Sequence, residues 1–133
     1  MVEKLSITIP ESVTIGNVGS ISFYEFIRFL CSRDQRFLGS ANRVRMGVKI
    51  ESLFKDKEPG SIVDVEQSDF NLLLKVATEP ACGYPRLDII RQNGQRDTVL
   101  TDRAIMVYVE AIENAEVAEV AEVEQIENNG GDV

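Results

Sequence analysis

The chain has 133 residues and a formal net charge of −8, with 44% hydrophobic residues and not one histidine. That length suits one domain with a single core, and no apolar run approaches the roughly 20 residues needed to cross a bilayer. Without histidine, Ser-His-Asp and Cys-His hydrolases and His-bearing zinc sites are excluded.

The charge is unevenly distributed. Of 22 acids, eight lie beyond Ala104 (Glu110, Glu113, Glu116, Glu119, Glu122, Glu124, Glu127 and Asp132), and no Lys or Arg accompanies them. The remaining fourteen acids balance all fourteen bases, so a neutral body carries an acidic tail. We expect a globular domain over residues 1–115 and an acidic low-complexity tail over 116–133. The first residues show no basic stretch followed by an apolar one, which predicts a cytoplasmic protein with reduced cysteines.

Along the chain, Leu5-Ser6-Ile7-Thr8-Ile9 alternates as a half-buried strand. Pro10-Glu11 breaks it, and Ser12–Ile15 alternates again, predicting a hairpin between the two. Gly16–Gly19 reads as a turn. Ser22-Phe23-Tyr24-Glu25 has the form of a capping box, with Ile21 and Phe26 placed as a hydrophobic staple. Phe23, Phe26, Ile27 and Leu30 then share one helical face to about Ser32, and Cys31 reads as a small core residue. A second helix starts near Ser40 or Asn42, burying Met46, Ile50, Leu53 and Phe54, and ends at Pro59-Gly60. Ile62–Glu66 is a strand. Ser68 or Asp69 caps a third helix with the stripe Phe70, Leu73, Leu74 and Ala77, stopped by Pro80.

Asn93-Gly94 signals a two-residue type I′ hairpin joining Leu87–Gln92 to Gln95–Leu100, with a short helix as the rival. Thr101 or Asp102 caps a fourth helix burying Ile105, Tyr108, Val109 and Ile112. The Ala-Glu-Val repeats of residues 115–123 have a period of three, which drifts against 3.6 and spirals the valines around any helix axis. Helix is therefore expected to about residue 115, then fraying, with Asn128–Gly131 disordered. The fold class expected is α+β: four helices, a small antiparallel sheet and an acidic tail.

Chemical motifs are sparse. Gly16-Asn17-Val18-Gly19 lacks the dinucleotide spacing, and no phosphate-binding loop occurs. Asp64, Glu66 and Ser68 open like a calcium loop, but Asp69 stands where glycine is required and Lys75 where an acid is required. Cys82, in the loop Pro80–Pro85, has no imidazole to lower its pKa. No cofactor or metal is expected, and the chain reads as non-enzymatic.

The positive charges cluster instead. Arg28, Arg33, Arg36, Arg43, Arg45 and Lys49 meet only Asp34 in their segment. The leading expectation is a protein-binding assembly or adaptor protein, able to form homo-oligomers. Its partner surface would comprise Phe23, Phe26 and Phe37 flanked by Arg33, Arg36, Arg43 and Arg45. The alternatives are a nucleic-acid-binding module using the Arg28–Lys49 segment, or a nucleic-acid mimic acting through Glu116, Glu119, Glu122, Glu124 and Glu127. No membrane association is expected.

In layout the chain resembles small accessory proteins of tailed bacteriophages. The likeness runs through the Phe-rich helix Ser22-Phe23-Tyr24-Glu25-Phe26, the helix opening at Asp64-Val65-Glu66-Gln67-Ser68-Asp69-Phe70, the Gly83-Tyr84-Pro85 loop and a final Ala/Ile helix. The resemblance implies a non-enzymatic role in virion or tail assembly or in inhibition of a host factor, located in host cytoplasm or virion. No functional residue carries over from it.

Overall fold

The computed structural model describes residues 3–118. Over them the chain is an α+β fold of four helices and small antiparallel sheets. Strand β1 (Lys4–Thr8) is the centre of a three-stranded sheet ordered β4-β1-β7, flanked by β4 (Ile62–Glu66) and β7 (Glu116–Val117). Both pairings are antiparallel, with Ile7 opposite Val63 and Leu5 opposite both Val65 and Val117. The alternation of β1 is thus satisfied by a strand more than fifty residues away and not by the adjacent hairpin that the local pattern suggests. The segment after Pro10 forms β2 (Val13–Ile15), which turns back through Gly16 to pair with β3 (Gly19–Ile21).

Helix α1 (Phe23–Arg33) begins at a complete capping box. Ser22 Oγ accepts from the Glu25 amide at 3.1 Å, and Glu25 Oε1 accepts from the Ser22 amide at 2.8 Å. A single 3₁₀ turn (Gln35–Phe37) leads to α2 (Ala41–Phe54), capped by Ser40. Helix α3 (Gln67–Thr78) follows β4 directly and starts before Ser68 and Asp69. Those two residues lie in its first turn, and no side chain caps its N-terminus. Thr101 is likewise the N-cap of α4 (Asp102–Glu113) by backbone position alone. Its hydroxyl turns away to donate to Pro85 O, fastening the base of the last hairpin.

That hairpin, β5 (Arg86–Ile90) with β6 (Arg96–Leu100), settles the ambiguity over residues 86–100 in favour of strands. Its turn is not the type I′ form. The Arg91 amide donates to Gln95 O and the Gly94 amide to Arg91 O, both at 2.8 Å, giving a three-residue loop. In this loop only Gly94 has a positive φ, 85°. A type I turn closed by a left-handed glycine needs one such residue, whereas type I′ needs two.

The core gathers the inward faces of all four helices. Phe23, Phe26, Ile27 and Leu30 of α1 meet Ile50 and Phe54 of α2, Leu73 and Val76 of α3, and Ile105, Tyr108 and Ile112 of α4. Tyr108 is fully buried, yet both its hydrogen-bonding roles are filled: its hydroxyl donates to Ile21 O and accepts from the Val13 amide at 2.8 Å. The ring packs edge-on against Phe23 at 5.3 Å, joining the β2–β3 hairpin to the helical core.

Helices α1 and α2 approach closely at Gly47. A Cβ there would stand 2.7 Å from Cys31 O and 3.1 Å from Phe37 Cβ. Alanine normally favours a helix interior over glycine by about 1 kcal/mol, but the obstructing atom is backbone and cannot swing aside. We therefore expect Gly47→Ala to destabilise the fold by about 1–3 kcal/mol, the range for overpacking, read as a lowered urea midpoint. An unchanged or raised midpoint would disprove the close packing.

Candidate functional site

The residues expected to form one contact surface separate into three groups. Phe23, Phe26 and Phe37 are core residues with at most 2% of their surface exposed, so they form no outward patch. The reason is geometric. Phe23 and Phe26 lie on the inward stripe of α1, and Phe37 fills the space left by the missing side chain of Gly47.

The second group is structural. Asp34 is fully buried, and its carboxylate accepts from the Arg36 amide (2.9 Å), Arg36 Nε (2.9 Å), Arg36 Nη2 (3.2 Å) and the Ala81 amide (2.8 Å). Arg36 Nη2 also donates to Glu79 O at 2.6 Å. Arg36 is therefore the clasp between the α1–α2 connection and the end of α3. Burial by itself would raise the Asp34 pKa. The Arg36 side chain, then the Arg36 and Ala81 amides, outweigh this and hold the carboxyl below its usual range. Lys49 plays a similar part, with Nζ 3.0 Å from Asp69 Oδ2 and 3.5 Å from Glu66 Oε1. The Asp69 contact is an ion pair without hydrogen-bond alignment, because Oδ2 has no hydrogen-bond partner. Contact with Asp69 nevertheless raises the Lys49 pKa, so the ammonium stays charged at neutral pH.

The third group faces outward. Arg33 lies over the Phe29 ring with Cζ 4.9 Å from its centroid. It borders a cleft of about 420 Å³ lined also by Cys82, Tyr84, Arg86, Asp88 and Thr98. Neither Arg33 nor Arg86 is in an ion pair among the described residues. The Cys82 thiol in that cleft has its pKa raised, chiefly by burial, and burial pushes the Cys31 thiol up to about 12. Neither thiol is therefore poised as a thiolate.

On α2, Arg43 and Arg45 are exposed, and among the described residues their side chains make only long hydrogen bonds, to Leu38 O (3.4 Å) and Asn42 Oδ1 (3.3 Å). Beside them lies an apolar strip that the sequence pattern did not reveal. Ala41, Val44, Arg45 and Val48 follow i, i+3, i+4, i+7 spacing, and all are exposed. Val44 and Val48 show 45% and 56% of their surface, and Leu38, just before the helix, shows 40%. The signal was an apolar pair four apart on a helix whose core stripe is already complete. It was hidden because valines enter any helical tally as core candidates.

Of the acidic residues, Glu116 lies in β7 and is exposed, opposite Ser6. The globule therefore extends past 115: the Ala118 amide donates to Lys4 O at 2.9 Å, and Ala118 is 7% exposed. Glu119, Glu122, Glu124 and Glu127, with the Asn128–Gly131 run, lie outside the described residues. Among the described residues, no helix is long and apolar enough to cross a membrane. No protein-family model, curated protein or solved structure matches the chain.

The Asp34 clasp carries a pH signature. A carboxylate whose pKa is lowered in the folded state stabilises the fold above the unfolded value, near 3.9, and loses that contribution as pH falls through the folded value. Asp34→Asn should therefore lower the urea midpoint at neutral pH, with the gap to the wild type narrowing below about pH 4. A gap independent of pH would contradict the charge-based account.

Proposed function

We propose that this protein is a non-enzymatic binding protein, an adaptor or assembly factor acting in the cytoplasm, whose contact surface is the outer side of α2. The observation that carries the reading is the exposed Val44–Val48 strip flanked by Arg43 and Arg45. An apolar strip rimmed by guanidinium groups suits a partner segment that alternates apolar and acidic side chains. The apolar contact supplies affinity and the charges supply registry and steering. Arginine serves this role well because its planar fork pairs with carboxylates. The layout resemblance to accessory proteins of tailed bacteriophages makes virion components the first partners to try.

A photo-crosslinking amino acid at Val48 tests the reading in the native lysate. We expect a discrete crosslinked protein that is absent when the probe is at Ile90, a comparably exposed position on the β5–β6 hairpin, and that is lost on Arg43→Glu with Arg45→Glu. Equal, diffuse crosslinking from both positions would sink the proposal.

A second reading, nucleic-acid binding, draws on Arg33 and Arg86 facing one cleft beside the aromatic rings of Phe29 and Tyr84. It has fewer cations to use than the sequence suggests, since Arg36 and Lys49 already pair with Asp34 and with Asp69 and Glu66. Under this reading, single-stranded nucleic acid should shift the protein at low salt, and Arg33→Ala should weaken the shift and flatten its salt dependence. No shift at low salt, in the wild type or with the tail glutamates changed to glutamine, excludes it.

A further inference from the structure

Three separated parts of the chain converge on the cleft at the end of α1. Phe29 and Arg33 come from the last turns of that helix, Cys82 from the loop after α3, and Arg86, Asp88 and Thr98 from the β5–β6 hairpin. The cleft holds about 420 Å³. That size falls within the range of small-ligand sites, roughly 300–1,000 Å³.

Its lining offers two kinds of group. Arg33 and Arg86 are the cations, and neither is in an ion pair among the described residues. Arg33 already stacks over the Phe29 ring, with Cζ 4.9 Å from the centroid, so its planar fork is held before any ligand arrives. Burial keeps the Cys82 thiol neutral, and it adds no opposing charge at neutral pH. The second kind of group is an acceptor. Thr98 Oγ1 donates its proton to Asp88 Oδ1 at 3.1 Å, across the hairpin. A carboxylate has lone pairs for several donors, so Asp88 has capacity left for a hydroxyl that enters the cleft.

Two guanidinium forks beside one carboxylate match a ligand with two unlike ends. Arginine pairs with phosphate through parallel, charge-assisted hydrogen bonds, and a phosphate monoester carries nearly two charges at neutral pH. We propose that the cleft binds a small phosphate monoester bearing hydroxyl groups, of the phosphorylated-sugar class. Its phosphate sits between Arg33 and Arg86, and a hydroxyl donates to Asp88. A nucleic-acid strand matches less well. Each of its phosphodiesters has a single charge, and a strand needs a positive track several nucleotides long, whereas this cleft has two cations and an acid. The proposal goes beyond the α2 contact surface and gives the cleft a different occupant from the second reading above.

The test titrates the full chain with ribose 5-phosphate at low salt and follows backbone amides by NMR. The expected result is saturable shifts at Phe29, Arg33, Arg86 and Thr98, no such shifts with ribose, and weaker binding of inorganic phosphate. Arg33→Ala and Arg86→Ala should each raise the Kd about tenfold, the value of one charge-assisted hydrogen bond. Both side chains are exposed, and an unchanged urea midpoint shows that the variants remain folded. Lys57→Ala removes an equal charge at the opposite end of α1, beside Ser22 and Phe23, and should leave the Kd unchanged. Asp88→Ala should abolish the preference for ribose 5-phosphate over inorganic phosphate. Equal Kd values for those two ligands in the wild type overturn the proposal, as does a loss with Lys57→Ala that matches the loss with Arg33→Ala. Shifts at these residues with single-stranded oligothymidylate but none with ribose 5-phosphate also overturn it, and assign the cleft to the second reading. Crosslinking at Val48 reads the α2 surface separately, so the failure of one proposal leaves the other standing.

Discussion

The contact between α1 and α2 at Gly47 sets the character of this protein's surface. With no side chain there, α2 settles against the Cys31 carbonyl, and the Phe37 ring closes over the gap. Once Gly47 faces α1, the rotation of the helix is set. Ile50 and Phe54 point inward, and Val44 and Val48 have nowhere to go but out. The same contact draws Phe37 from the connecting loop into the core and leaves its neighbour Leu38 partly in water. A single small residue thereby exchanges an expected aromatic surface for an aliphatic one.

Electrostatics then divide the basic residues by task. Asp34 is buried where it can satisfy two amides and a guanidinium at once, so Arg36 is tied to the fold. A buried carboxylate without such partners would be strongly unfavourable, which is why this one sits where a loop crosses the end of α3. Asp69 makes a matching demand on Lys49. Arg33, Arg43 and Arg45 face no such demand and stay exposed, in no ion pair among the described residues.

Elements with local causes were legible before any coordinates. The capping box at Ser22, the α1 stripe, the Ser40 cap, the β4 strand and the buried face of α4 all follow from side chains within a few residues of one another. The Asn93-Gly94 signal located the last hairpin for the same reason, although it misjudged the turn, because loop length depends on how the flanking strands register. Composition and the absence of histidine also bounded the chemistry, and the segregation of charge was legible without coordinates.

The long-range choices emerge from the packed fold: that β1 pairs with β4 and β7 and not with β2, that Glu116 and Val117 extend the sheet, that Arg36 is a clasp, and which side of α2 meets water. Each turns on free energies of comparable size. A half-buried strand gains nearly the same from any edge that covers its apolar side. An arginine can bind a partner or a nearby carboxylate, and a valine can pack inward or remain exposed. Pattern and propensity do not separate such alternatives. What separates them is the placement of distant backbone, here a carbonyl beside Gly47 and a carboxylate beneath Ala81, which no local stretch of the chain encodes.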